Sequence, residues 1–181
     1  MLSELLHSGS VIHIGGREYR VRYSLNALLC LEQSYMPIKK ILETDYRQWD
    51  IETCLQLCRA AMCDLEENHE AVRDRRWDMV TPDLAELGRA VRVQDLGRLR
   101  TELADAVINS LPEAEDGAKA SSDQTADEGH MRALFCDIMG VPEEEFWNSS
   151  YRDITKRSNK YLEAKGLKEM PLVIKMTDKN D

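Results

Sequence analysis

Residues 112–128 read PEAEDGAKASSDQTADE, and no other segment constrains the fold as much. Alanine is the only apolar residue type in it. Such a stretch cannot bury enough surface to offset the entropy of ordering it. The chain is therefore expected to fold in two parts, 1–111 and 129–181, joined by a flexible acidic linker at 112–128. As a coil, a segment of this length spans roughly 20–25 Å. With six acids against one lysine, it also carries more than half of the formal net charge of −9.

The first part opens with Val11-Ile12-His13-Ile14, then Gly15-Gly16, then Arg17-Glu18-Tyr19-Arg20-Val21-Arg22-Tyr23. Two glycines between alternating runs predict a hairpin with a two-residue turn. Ile12 then faces Tyr19, and Ile14 faces Arg17. Ile12, Ile14, Tyr19, Val21 and Tyr23 share one face, with Glu18, Arg20 and Arg22 on the other. A lone hairpin is marginal in water, so this apolar face is expected to lie on helices or on a partner subunit.

Helices should follow. Ser24 is a candidate N-cap for a helix over about 25–35, and Pro37 interrupts it. Asp50 can cap the next, where Ile51, Cys54, Leu55, Cys58, Ala61, Met62 and Leu65 recur at helical spacing. Thr81-Pro82 reads as an N-cap with proline at the first helical position, opening a short helix that ends near Gly88. A longer helix turns Leu96, Leu99, Leu103, Val107 and Leu111 inward. A part of about 110 residues buries roughly two-thirds of its unfolded surface, enough for a core without disulfides or metal. Aromatic residues make up only 6% of the chain, so Leu, Met and Ala must carry much of the packing.

The second part is also helical. Met131, Leu134, Phe135, Ile138 and Met139 form an apolar stripe that Gly140 should cap. Pro142 starts the next helix, with Glu143, Glu144 and Glu145 at its positive dipole end. Phe146, Trp147, Tyr151, Ile154, Tyr161 and Leu162 lie on one broad face, and Gly166 should end it. The expected fold class is mainly α with a small N-terminal β-hairpin, a flexible acidic linker and a C-terminal helical hairpin whose last residues fray.

Chemistry is sparse. Five cysteines without framework spacing point to reduced thiols in the cytoplasm. Cys54 and Cys58 share a helix face that is otherwise apolar, so they read as core residues. Cys63 lies about 140° round the helix from Cys58 at 100° per residue, off that stripe, and is expected to react sooner. His7, His13, His69 and His130 have no ligand spacing. Gly15-Gly16 lacks the pattern of a phosphate loop, and no nucleophile elbow or HExxH motif occurs. No catalytic, cofactor or metal site is expected. There is no secretory signal pattern and no apolar run long enough for a membrane span. The acidic balance argues against a general nucleic-acid binder. Candidate partner-binding residues are Met131, Phe135, Phe146, Trp147, Tyr151 and Tyr161, since aromatic and Met side chains are enriched at docking contacts. The competing reading is that they complete a core.

The order of several motifs resembles one family. Ile14-Gly15-Gly16-Arg17-Glu18-Tyr19, then Tyr23-Ser24-Leu25-Asn26-Ala27-Leu28 with Leu31-Glu32, is similar to the opening of tail assembly chaperones of long-tailed bacteriophages. Gly140-Val141-Pro142-Glu143-Glu144-Glu145-Phe146-Trp147 resembles an element of the family's longer form. The resemblance implies a non-catalytic phage or prophage protein that needs no cofactor. It would bind tape-measure and tail-tube proteins in the host cytoplasm, could self-associate, and would be absent from the mature virion. It also implies short and long products that diverge by ribosomal frameshifting, with 112–128 at the junction. An alternative is a phage-encoded DNA-binding regulator that uses 81–111 as a helix-turn-helix, with Arg89, Arg92, Arg98 and Arg100 as its basic residues.

Overall fold

Gly15 and Gly16 set the start of the fold. The computed structural model describes residues 9–111 and 128–167. The expected linker, apart from Glu128, and the expected frayed end lie outside the described residues. Both glycines have positive φ, +59° and +81°, as a primed two-residue turn requires. The turn joins β1 (Ser10–Ile14) to β2 (Arg17–Val21), antiparallel, with Ile12 opposite Tyr19 and Ile14 opposite Arg17. Ile12, Ile14, Val21 and Tyr23 are buried. Tyr19, expected with them, is half-buried because it lines a surface cleft.

Ser24 accepts the amide of Ala27 at 3.1 Å and caps α1 (Leu25–Ser34). Pro37 separates α1 from α2 (Ile38–Glu43). Asp50 caps α3 (Ile51–Ala61), accepting the Thr53 amide at 2.7 Å. That hydrogen bond holds the Asp50 carboxyl below its usual range. Helix α3 packs against α1, and against α5 (Leu84–Ala90) and α6 (Leu96–Ser110). Its buried residues include Cys54, Leu57, Cys58, Ala60 and Ala61. Ile51, at the first helical position, remains exposed.

Between α3 and α5 lies α4 (His69–Arg73). Helix α5 starts later than Thr81-Pro82 predicts. Thr81 donates both its amide and its hydroxyl to Asn68 Oδ1, each at 2.8 Å, so its side chain is already committed. Asp83 caps instead, accepting the Glu86 amide at 2.6 Å. Helix α6 lies along β1. Leu99, Leu103 and Val107 are buried as expected, while Leu96 and Leu111 are half-buried. Glu102 on α6 accepts the His13 amide at 2.8 Å and meets His13 Nδ1 at 2.7 Å.

The chain divides into two compact units, Met1–Ser110 and Leu111–Asp181. The second unit contains α7 (Glu128–Arg132), a π-helical turn at Ala133–Ile138, α8 (Glu143–Trp147) and α9 (Tyr151–Ala164). The wider turn changes the helical phase. Ile138 is therefore 61% exposed where α-helical spacing predicts burial. Gly140, at φ +71°, ends this turn as expected. The single helix expected between Pro142 and Gly166 is two helices. Ser150 accepts the Asp153 amide at 3.2 Å and caps α9 as a new helix.

Glu102→Ala strips the His13 amide of its acceptor at a site where Glu102 is only 15% exposed. Its unfolding free energy should fall by about 2 kcal/mol. Glu18→Ala removes a 75% exposed partner of the same ring and should cost under about 0.5 kcal/mol. Urea unfolding at unchanged slope measures both. Equal losses would contradict this account of how β1 is held.

Candidate functional site

Two buried polar side chains in the first unit are directed at the backbone. Arg59 on α3 is buried, and its Nη2 donates to the carbonyls of Trp77, Asp78 and Val80 at 3.2, 2.7 and 2.8 Å. Asn68 is buried and donates to the carbonyls of Met62 and Thr81 at 2.8 and 2.9 Å. Together they hold residues 77–81, a segment without long helices, against α3. Little in the local pattern of residues announces this. A lone arginine after Cys58 breaks the apolar pattern, and nothing marks Asn68.

Four thiols lie in the same unit. Cys30, Cys54, Cys58 and Cys63 are all buried. Cys54 and Cys58 sit in the core, where burial pushes both thiols up. Cys63 does not follow its helical-wheel position. Helix α3 ends at Ala61, and a 3-10 turn over Met62–Asp64 rotates Cys63 inward to 1% exposure. A hydrogen bond between Cys63 and Cys30 raises Cys63 and lowers Cys30, and Arg59 also lowers Cys30. Asp64 next to it accepts from Arg22 Nε at 3.2 Å and Ser24 Oγ at 2.7 Å. Burial still raises its carboxyl. Among the described residues, no group of three or more His, Cys, Asp or Glu could hold a metal ion.

Of the six candidate docking residues, Met131, Phe135, Phe146 and Tyr151 are buried. The Phe135 and Phe146 rings lie 5.7 Å apart. Arg157 lies 4.9 Å over Phe135 and also bonds Glu145. Trp147 and Tyr161 are half-buried. The Trp147 ring meets Phe146 edge-on at 5.4 Å, and its Nε1 donates to Glu143 at 3.3 Å. Of the expected docking set, Trp147 and Tyr161 are thus the two more exposed members.

A cleft of about 290 Å³ lies between the hairpin turn and α5. Its lining includes buried Ile14 and Leu87, half-buried Tyr19 and Ala90, and exposed Arg17 and Glu86. That volume lies at the lower edge of the range for small-molecule pockets. Helix α6 buries Leu99, Leu103, Ala104, Ala106 and Val107. Arg98 pairs with Asp95 and Glu102, both at 3.6 Å, and Arg100 Nε donates to the Trp49 carbonyl at 2.6 Å. No helix among the described residues is long and apolar enough to cross a membrane. The chain matches no protein-family model, no curated protein and no solved structure.

Thiol exposure orders their chemistry. In the native full chain, Cys136 should alkylate first, being half-buried, and the other four only as the first unit opens. Mass spectrometry of labelled peptides reads the order. Cys63 labelling alongside Cys136 in native buffer would contradict its inward rotation.

Proposed function

We propose that this chain is a tail assembly chaperone of a long-tailed bacteriophage or prophage, acting by binding tape-measure and tail-tube proteins in the host cytoplasm. The observation that carries this reading is the division into a hairpin-led helical unit and a second, smaller helical unit. The motifs that resemble the family fall in order on those units. The Gly15-Gly16 turn and the Ser24-capped helix open the first, and the Pro142-to-Trp147 element forms α8 of the second.

The physical sense is direct. A tape-measure protein is a long helical rod that exposes apolar surface until the tube encloses it. A helical protein with apolar side chains at its surface can cover such surface reversibly. A second module tethered to the first raises the local concentration of tube subunits around the rod. Tube polymerisation can then displace the chaperone, so no nucleotide is needed. The DNA-regulator alternative has less support, because the arginines of α6 are engaged within the unit.

The test is affinity for tail-tube and tape-measure proteins, whose genes this reading expects to flank the gene for this chain. The full chain should bind at least one of them and show no salt-dependent shift with duplex DNA. Trp147→Ala should weaken tube-protein binding roughly 30-fold, the effect of losing about 2 kcal/mol at an aromatic anchor. The melting of the first unit should not change. Neither tail protein binding, together with a salt-dependent DNA shift, would reject the chaperone reading in favour of the regulator.

A further inference from the structure

The two edges of the hairpin are treated differently. In a two-residue hairpin the residues flanking the turn, Ile14 and Arg17, exchange both ladder hydrogen bonds, and every second pair does the same. The intervening pairs, His13 with Glu18 and Val11 with Arg20, turn their backbone groups outward. On β1 the outward amide of His13 reaches Glu102 at 2.8 Å. On β2 the outward amides and carbonyls of Glu18 and Arg20 have no hydrogen-bond partner among the described residues. Among the described residues, the one strand that pairs with β2 is β1. The side chains of Arg17, Glu18 and Arg20 are exposed. An open edge of this kind is a template for another strand.

The sequence of β2 says which strand fits. We propose that β2 pairs antiparallel with β2 of a second copy of this chain, about a two-fold axis through Tyr19, to make a four-stranded sheet across a homodimer. This register sets Glu18 opposite Arg20 of the other copy, and Arg20 opposite its Glu18. These are the two residues whose backbone groups point outward, so each pair exchanges two N–H···O=C hydrogen bonds. Their side chains lie on the same face of the sheet, where opposite charges directly across the strands attract. Tyr19 falls opposite Tyr19 on the other face.

Neighbouring registers are disfavoured by the same residues. A one-residue slip sets outward backbone groups against inward ones and swaps the faces. A two-residue slip one way sets Glu18 against Glu18, and the other way sets Arg20 against Arg20. Like charges directly opposite are destabilising. The pattern Arg17-Glu18-Tyr19-Arg20-Val21 is thus self-complementary in one antiparallel register. This inference does not rest on the tail-assembly reading.

Sedimentation velocity of the full chain over a wide concentration range tests it. The wild-type chain should pass from monomer to dimer. Glu18→Arg and Arg20→Glu should each shift that midpoint at least tenfold, an effect of about 1.4 kcal/mol. The double variant carrying both should regain the wild-type midpoint, because the charges are exchanged across the pair. Arg20→Pro removes an outward amide while leaving the bonds to β1 in place, and should abolish the dimer. Circular dichroism verifies that each variant is folded. A chain that stays monomeric throughout would overturn the proposal, as would association of equal strength in all variants. So would a monomer that binds a tail protein through β2 and loses that binding in Arg20→Pro, since the occupant would then be a foreign strand.

Discussion

A two-stranded hairpin cannot hold itself together in water, so the first unit depends on the burial of Ile12, Ile14, Val21 and Tyr23. Each large aliphatic side chain removed from water contributes about 1.5–3 kcal/mol. Burial alone would leave polar groups stranded, and specific partners prevent that. Tyr23 donates its hydroxyl to the Leu57 carbonyl at 3.0 Å, and Ser110 Oγ accepts its amide at 2.9 Å. Glu102 takes the outward amide of His13. The hairpin is thereby tied to α3 at its base and to α6 along one edge. The other edge is left without a partner among the described residues.

A similar economy holds the segment between α3 and α5. Its elements are short 3-10 turns and one helix of five residues, too short to be stable by themselves. Arg59 and Asn68 supply the missing order by bonding the carbonyls and amides of residues 62 and 77–81. A buried guanidinium is costly unless its donors are used. Three carbonyls around Nη2 meet that requirement in part, although its Nε has no partner. The chain uses its buried polar residues as fasteners for irregular backbone.

Much of this was legible in the sequence, because local chemistry decided it. Paired glycines fixed the turn and the register. Ser24 and Asp50 announced their helices, since their side chains accept amides three residues on. What failed were inferences that extended one helical phase across a boundary. Cys63 turned inward because α3 gives way to a 3-10 turn, and Ile138 turned outward because its segment is π-helical. Thr81 lost its capping role to a contact with Asn68, thirteen residues away, which no local pattern encodes. The docking set was drawn from residue type and position on amphipathic helices beyond the linker, and neither distinguishes a buried aromatic, such as Phe146, from a half-buried one, such as Trp147.

The central claim is that the hairpin is bound to the helices along one edge while its other edge is open for association. Amide exchange in the full chain, followed residue by residue by NMR, tests it most directly. In dilute solution the His13 amide should exchange slowly and those of Glu18 and Arg20 quickly. Raising the protein concentration should slow Glu18 and Arg20 and leave His13 unchanged. If His13 exchanges as fast as Glu18, or if Glu18 and Arg20 are already protected at the lowest concentration, the claim fails.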